Sequence, residues 1–148
     1  MYKHILVPTD GSKLSAKAVK QAVNFAKTIG AKITALHVSA EYRAVMDEGF
    51  VVPSIATFKK RFEEMNAKRS DIVLAQVENA ARTAGVRCDS VSVANNLPYD
   101  AIIRQAKKAK CDLIMMASHG RKGLASVLLG SETSKVLTHS NIPVLVVR

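Results

Sequence analysis

Apolar positions along the chain fall into two alternating kinds of run. Residues 3–8 (Lys-His-Ile-Leu-Val-Pro), 32–39, 112–117 and 143–147 are short and nearly continuous. Residues 14–29 and 54–84 instead place apolar side chains every three or four positions. A continuous run of strand length predicts a strand covered on both faces, and a 3.6-residue period predicts an amphipathic helix. Read in order, the pattern predicts strand 3–8, helix 14–29, strand 32–39, helix 54–84, strand 87–94, helix 99–109, strand 112–117, helix 131–140 and strand 143–147. The punctuation agrees. Ser12 or Asp10 can cap the first helix, Gly30 and Gly85 stand where two helices should stop, and Pro98 stands where another should start. Residues 41–53 show no period and contain Gly49 and Pro53, which reads as a loop.

Strands alternating with helices imply an α/β fold: a mostly parallel sheet covered by helices on both faces. With right-handed crossovers, five strands make a doubly wound sheet. Ligands of such sheets lie beyond the carboxyl ends of the strands, where the strand order reverses. Pro8-Thr9-Asp10-Gly11-Ser12 follows the first strand and Ala117-Ser118-His119-Gly120 follows the fourth. If those strands are neighbours, the two loops face one crevice.

The length of 148 residues, without a linker or repeat, predicts a single domain over 1–148. Such a chain buries enough surface to need no disulfide or metal staple. Hydrophobic residues at 48% and charged residues at 23% exclude a disordered or collagen-like chain. No apolar run approaches the ~20 residues of a membrane helix. The N-terminus lacks a signal-peptide pattern, so a cytoplasmic location is expected. Cys88 and Cys111 are far apart and belong to no CxxC pair. His4, His37, His119 and His139 have no ligand spacing, so no metal site is expected.

The net charge is 22 − 12 = +10, which favours anionic partners. Much of it recurs at helical spacing (Lys13, Lys17, Lys20 and Lys27; Arg104, Lys107 and Lys108), as on solvated helix faces. Aromatic residues are 5% with no tryptophan, a poor supply for stacking on nucleic acid.

Neither GxxxxGK[ST] nor GxGxxG follows the first strand. Glycines nevertheless bracket the segment after the fourth strand, as Gly120-Arg121-Lys122-Gly123 and Gly130-Ser131. Glycine admits close approach of backbone amides to an anion, and a helix starting at Ser131 would aim its free N–H groups there. Ser131 and Thr133 add hydroxyls, and Arg121 and Lys122 carry charge for a phosphate.

The sequence resembles the small single-domain universal stress proteins over essentially its whole length. The resemblance rests on Ile5-Leu6-Val7-Pro8-Thr9-Asp10-Gly11-Ser12, on Leu36-His37-Val38 and on Cys111-Asp112-Leu113-Ile114-Met115-Met116-Ala117-Ser118-His119-Gly120. It continues through Leu128-Leu129-Gly130-Ser131, Val136-Leu137 and Asn141-Ile142-Pro143-Val144-Leu145-Val146-Val147. It implies a Rossmann-like sheet of the adenine nucleotide alpha hydrolase kind, with strand order 3-2-1-4-5.

The ATP-binding branch of that family is similar in carrying G-x2-G-x9-G-[S/T]. Here Gly120, Gly130 and Ser131 match, while Ala117 stands at the first glycine. Alanine would be strained there only if the position needs a positive φ. The resemblance implies ATP as ligand, with Mg²⁺ carried through its phosphates. Asp10 resembles the acid that meets the ribose hydroxyls, with Pro8 and Thr9 along the same edge. Val38 resembles the residue whose backbone reads adenine, and Met116 and Ala117 resemble the floor. Ser118, His119, Gly120, Gly130, Ser131, Glu132 and Thr133 correspond to the phosphate end. Glu132 departs from expectation, since an acid there repels phosphate unless it faces elsewhere.

No catalytic residue is expected. His119 has no neighbouring carboxylate in sequence to orient it, and no nucleophile elbow occurs. Slow ATP hydrolysis at most is implied. A homodimer through 143–147 is implied by the resemblance, because this apolar run would otherwise be an open edge. The alternatives are a dimeric interaction module without nucleotide, and a weak ATPase.

Overall fold

A computed structural model of the chain describes residues 1–43, 55–120 and 129–148. Most of the loop read at 41–53, Ser54, and the residues Arg121, Lys122 and Gly123 lie outside the described residues. The elements are β1 (His4–Pro8), α1 (Lys13–Ile29), β2 (Lys32–Ser39), α2 (Ile55–Ala84), β3 (Cys88–Ala94), α3 (Pro98–Lys108), β4 (Leu113–Ala117), α4 (Ser131–His139) and β5 (Val144–Val147). Every strand pair is parallel, and the order is β3-β2-β1-β4-β5. The expected doubly wound sheet and its order are therefore what the chain forms.

The element ends move by a residue where side chains or proline take over the ladder. Lys3 and His4 donate their amides to the Asp112 carboxylate, at 2.9 and 3.0 Å, so β1 begins only at His4. Pro143 has no N–H; its carbonyl still accepts from Ile114, and β5 begins one residue later. At the start of α1, Ser12 is the cap: its hydroxyl accepts from the Ser15 amide at 3.2 Å. Asp10 instead accepts from the Ser12 amide at 2.9 Å, holding the turn before the cap. Gly30 ends α1 at φ +70°, the left-handed conformation that glycine adopts without a Cβ penalty.

Two apolar layers cover the sheet. Ile5, Val7, Ile33, Ala35, Leu113 and Met115 face α1 and α2, while Leu6, Leu36, Ile114 and Met116 face α3 and α4. β1 and β4 are buried at every position, which is why their sequences are continuous apolar runs. Among the described residues no helix is long and apolar enough to cross a membrane.

The reading of α2 as one amphipathic helix needs correcting. Its buried residues (Ser70, Val73, Leu74, Val77 and Ala81) belong to its C-terminal half. Ile55, Phe58, Met65 and Ile72, which contributed to the apparent core period, are exposed. A 30-residue helix spans about 45 Å and overruns the 8-residue β2, which spans about 26 Å.

At the amino-terminal edge of the sheet, His4 is buried with Nε2 2.8 Å from the Thr34 hydroxyl. Desolvation, with Lys32 nearby, holds its imidazole below the ordinary 6.5. For Asp112, desolvation opposes ionisation, but the His4 and Lys3 amides outweigh it and hold the carboxyl below 3.8. Burial pushes the thiols of Cys88 and Cys111 up to about 11, so both stay protonated and unreactive near neutrality.

As pH falls through 6.5 the unfolded chain protonates His4 before the native chain does. The His4 contribution to stability is therefore complete above 6.5 and declines toward the lower folded value. The Asp112 contribution is present above 3.8 and is lost only in stronger acid. Urea midpoints measured between about pH 7 and pH 5 should fall for the native sequence. They should fall less for His4→Gln.

Candidate functional site

The connections leave β1 toward β2 on one side, and β4 pairs with β1 on the other, with Ile5 opposite Leu113 and Leu6 opposite Ile114. The chain thus reverses its winding between these strands, and a crevice opens past their carboxyl ends. A cavity of about 350 Å³ lies there.

Of the thirteen residues singled out from sequence, twelve line it: Pro8, Thr9, Asp10, Val38, Met116, Ala117, His119, Gly120, Gly130, Ser131, Glu132 and Thr133. Ser118 does not. Its amide donates to Val147, extending the β4–β5 ladder, and its hydroxyl turns to His119 Nδ1 at 3.0 Å. Sequence reasoning missed Ser15, Leu36, Pro98 and Ile102. Leu36 was reachable, because it lies two residues before Val38 and so on the same face of β2. Ile102 was not, because only packing brings α3 against β2 and α4 at the cavity.

The loop after β1 is fixed from inside. The Thr9 amide donates to Leu36, and its hydroxyl meets the Ser15 hydroxyl at 3.1 Å. The loop after β4 is fixed against the start of α4. The Gly130 amide donates to the Ser118 carbonyl at 2.7 Å, and the Thr133 hydroxyl donates to Ala117 at 3.0 Å.

A side chain would be crowded at both glycines of this junction, by a side-chain tip at Gly120 and by main chain at Gly130. A Cβ on Gly120 would come within 2.8 Å of Asp10 Oδ2. One on Gly130 would meet the Ser118 carbonyl at 3.1 Å and His119 Cα at 3.3 Å, both of them main chain. Ala117 has no such difficulty. Among the described residues the one non-glycine position with positive φ is Lys110, so alanine sits unstrained at the end of β4.

Two helices begin at the cavity without a side-chain cap of their own: α3 at Leu97 and α4 at Gly130. At α3 the gap is filled by Glu132, whose Oε2 accepts from the Tyr99 amide at 2.8 Å. Oε1 of the same carboxylate takes Lys135 at 3.2 Å. The acid that looked repulsive in the sequence is thus committed to another helix. The start of α4 keeps its first amides and its dipole for the cavity. His119 adds a buried Nε2 with no partner among the described residues. Among the described residues no group of three or more His, Cys, Asp or Glu side chains is placed to hold a metal ion.

An all-parallel α/β protein with a polar-rimmed crevice at its topological switch point is the class that fold and site define. Within that class the assignment is specific. The universal stress protein family pattern matches residues 1–148, and the chain belongs to that family. It is 34% identical over 149 residues to universal stress protein MJ0531 of Methanocaldococcus jannaschii, covering 100% of this chain and 83% of the relative. The solved structure of MJ0577, described as a hypothetical protein assigned a biochemical function from structure, superposes with TM-score 0.84 at 29% identity. That match covers 99% of this chain and 96% of the other. A universal stress protein solved in complex with cAMP superposes with TM-score 0.69 at 25% identity, covering 99% and 97%.

Gly130→Ala should destabilise the fold by about 1–3 kcal/mol, because main chain and not a rotamer must yield. Glu132→Ala should cost about 1 kcal/mol through the uncapped α3, and Glu132→Gln less. Urea denaturation measures all three.

Proposed function

We propose that the chain, acting as one domain, binds an adenine nucleotide at this crevice, ATP foremost, and works as a regulatory or sensing module in the stress response. The observation that carries the proposal is the junction of β4 and α4. Gly120 and Gly130 leave room at the junction, the uncapped α4 presents its amides, and His119 Nε2 is buried without a partner among the described residues. These groups suit phosphate oxygens. Asp10 stands across from Gly120 with a carboxylate for ribose hydroxyls, and half-buried Val38 lines the apolar end where a base would lie. The relative solved with cAMP supports a nucleotide of this kind.

Mg²⁺ would arrive on the phosphates and neutralise them. This chain's own residues would orient the nucleotide, exclude water from its base and hold its charge. The reading has the protein in the cytoplasm as a homodimer. β5 is an edge of the sheet, Leu145 is exposed, and antiparallel pairing with a second β5 would satisfy its outer groups.

Mass spectrometry of the freshly purified, denatured protein should release an adenine nucleotide near one per chain. Gly130→Val and Asp10→Ala should bind at least about tenfold more weakly in calorimetry. If nothing is released and added ATP has no affinity, the chain is an interaction module and not a nucleotide binder. Light scattering should give twice the 16.0 kDa chain mass, and Leu145→Glu should shift it toward the monomer.

A further inference from the structure

The exposed half of α2 has a pattern of its own. Ile55, Phe58, Phe62, Met65 and Ile72 follow the three-then-four spacing of a heptad seam, with Arg69 at the one remaining seam position. Ile55 is 44% exposed, Phe58 53%, Met65 71% and Ile72 64%. Phe62 alone is sheltered, edge-on to Tyr42 with ring centroids 5.6 Å apart. At about 100° per residue the seam lies roughly a quarter turn away from the side that packs on the sheet. It is therefore a second apolar face, separate from the core face and from the crevice.

The charges choose its occupant. Lys59, Arg61 and Lys68 flank the seam, and Arg69 stands within it. Among the described residues Lys59 has only an exposed contact with Glu63 at 3.8 Å, and no ion pair engages Arg61, Lys68 or Arg69. An antiparallel second copy would set Arg61 against Lys68 of its twin and gain no opposing charge. A membrane surface would feel the whole of residues 55–72, five bases against three acids, 5 − 3 = +2. A helix lying in the seam meets mainly its flanks, where every charge is basic.

We propose that residues 55–72 dock an amphipathic helix of a partner protein whose own seam is flanked by Asp and Glu. The apolar side chains supply the burial. Lys59, Arg61, Lys68 and Arg69 supply the selection, as seam-flanking charges do in paired helices.

The test uses the full chain and two labelled synthetic helices of about three heptads, both with Leu in the seam. One has Glu at the flanks and the other Lys. Fluorescence anisotropy should show the Glu helix binding at least about tenfold more tightly, with affinity falling as salt rises. Phe58→Ser with Met65→Ser should abolish that binding while circular dichroism and the thermal midpoint stay unchanged, since both side chains are exposed. Arg61→Glu with Lys68→Glu should invert the preference. Equal affinity for the two helices, or none for either, overturns the proposal. So does a chain that self-associates through this face or prefers phosphatidylserine vesicles to the Glu helix.

Discussion

A strand buried on both faces must satisfy its backbone from neighbouring strands alone, because no water reaches it. β1 and β4 are such strands, fully buried at all positions. Each needs a partner on both sides, and each finds one in the other. The remaining neighbours then lie outward, β2 beyond β1 and β5 beyond β4. Two windings leave from a common centre, and their loops separate at the carboxyl end. The crevice is the geometric consequence of that central pair.

The chemistry of the crevice follows from how the space is finished. Two glycines stand where a Cβ would strike Asp10 or the main chain. The Gly130 amide ties α4 to the end of β4, so the helix N-terminus is aimed by backbone and not by a mobile side chain. Glu132 satisfies the neighbouring helix α3 and leaves the start of α4 exposed to whatever occupies the cavity. A single carboxylate thereby makes the two helix ends chemically different.

The same chain carries a second surface on α2, whose exposed seam has no counterpart in the sheet. The buried residues of α2 run from Ser70 to Ala81, and among the described residues its first half touches the rest of the chain through Phe62 on Tyr42 and Asn66 on the Ala40 carbonyl, leaving Phe58 and Met65 exposed. The crevice and the helical seam stand on different elements, so a ligand in one and a partner on the other would not compete for the same side chains.

Fold class was legible in the sequence pattern, while the strand order and most residues of the crevice came through the family resemblance. Continuous apolar runs mark strands covered twice, and the motif around Gly120 and Gly130 sits at a fixed spacing. Periodicity could not distinguish which apolar face of α2 meets the core, because it reports that a face exists and not what covers it. Nor could it show that Ser118 turns inward, that Glu132 caps another helix, or that Ile102 closes over the cavity. Those depend on contacts between residues far apart in the chain. The sequence by itself determined the alternation of elements, since that follows from local side-chain period and burial. Only the tertiary structure decided which polar groups were already satisfied and which remained for a ligand, because that depends on partners brought together by folding.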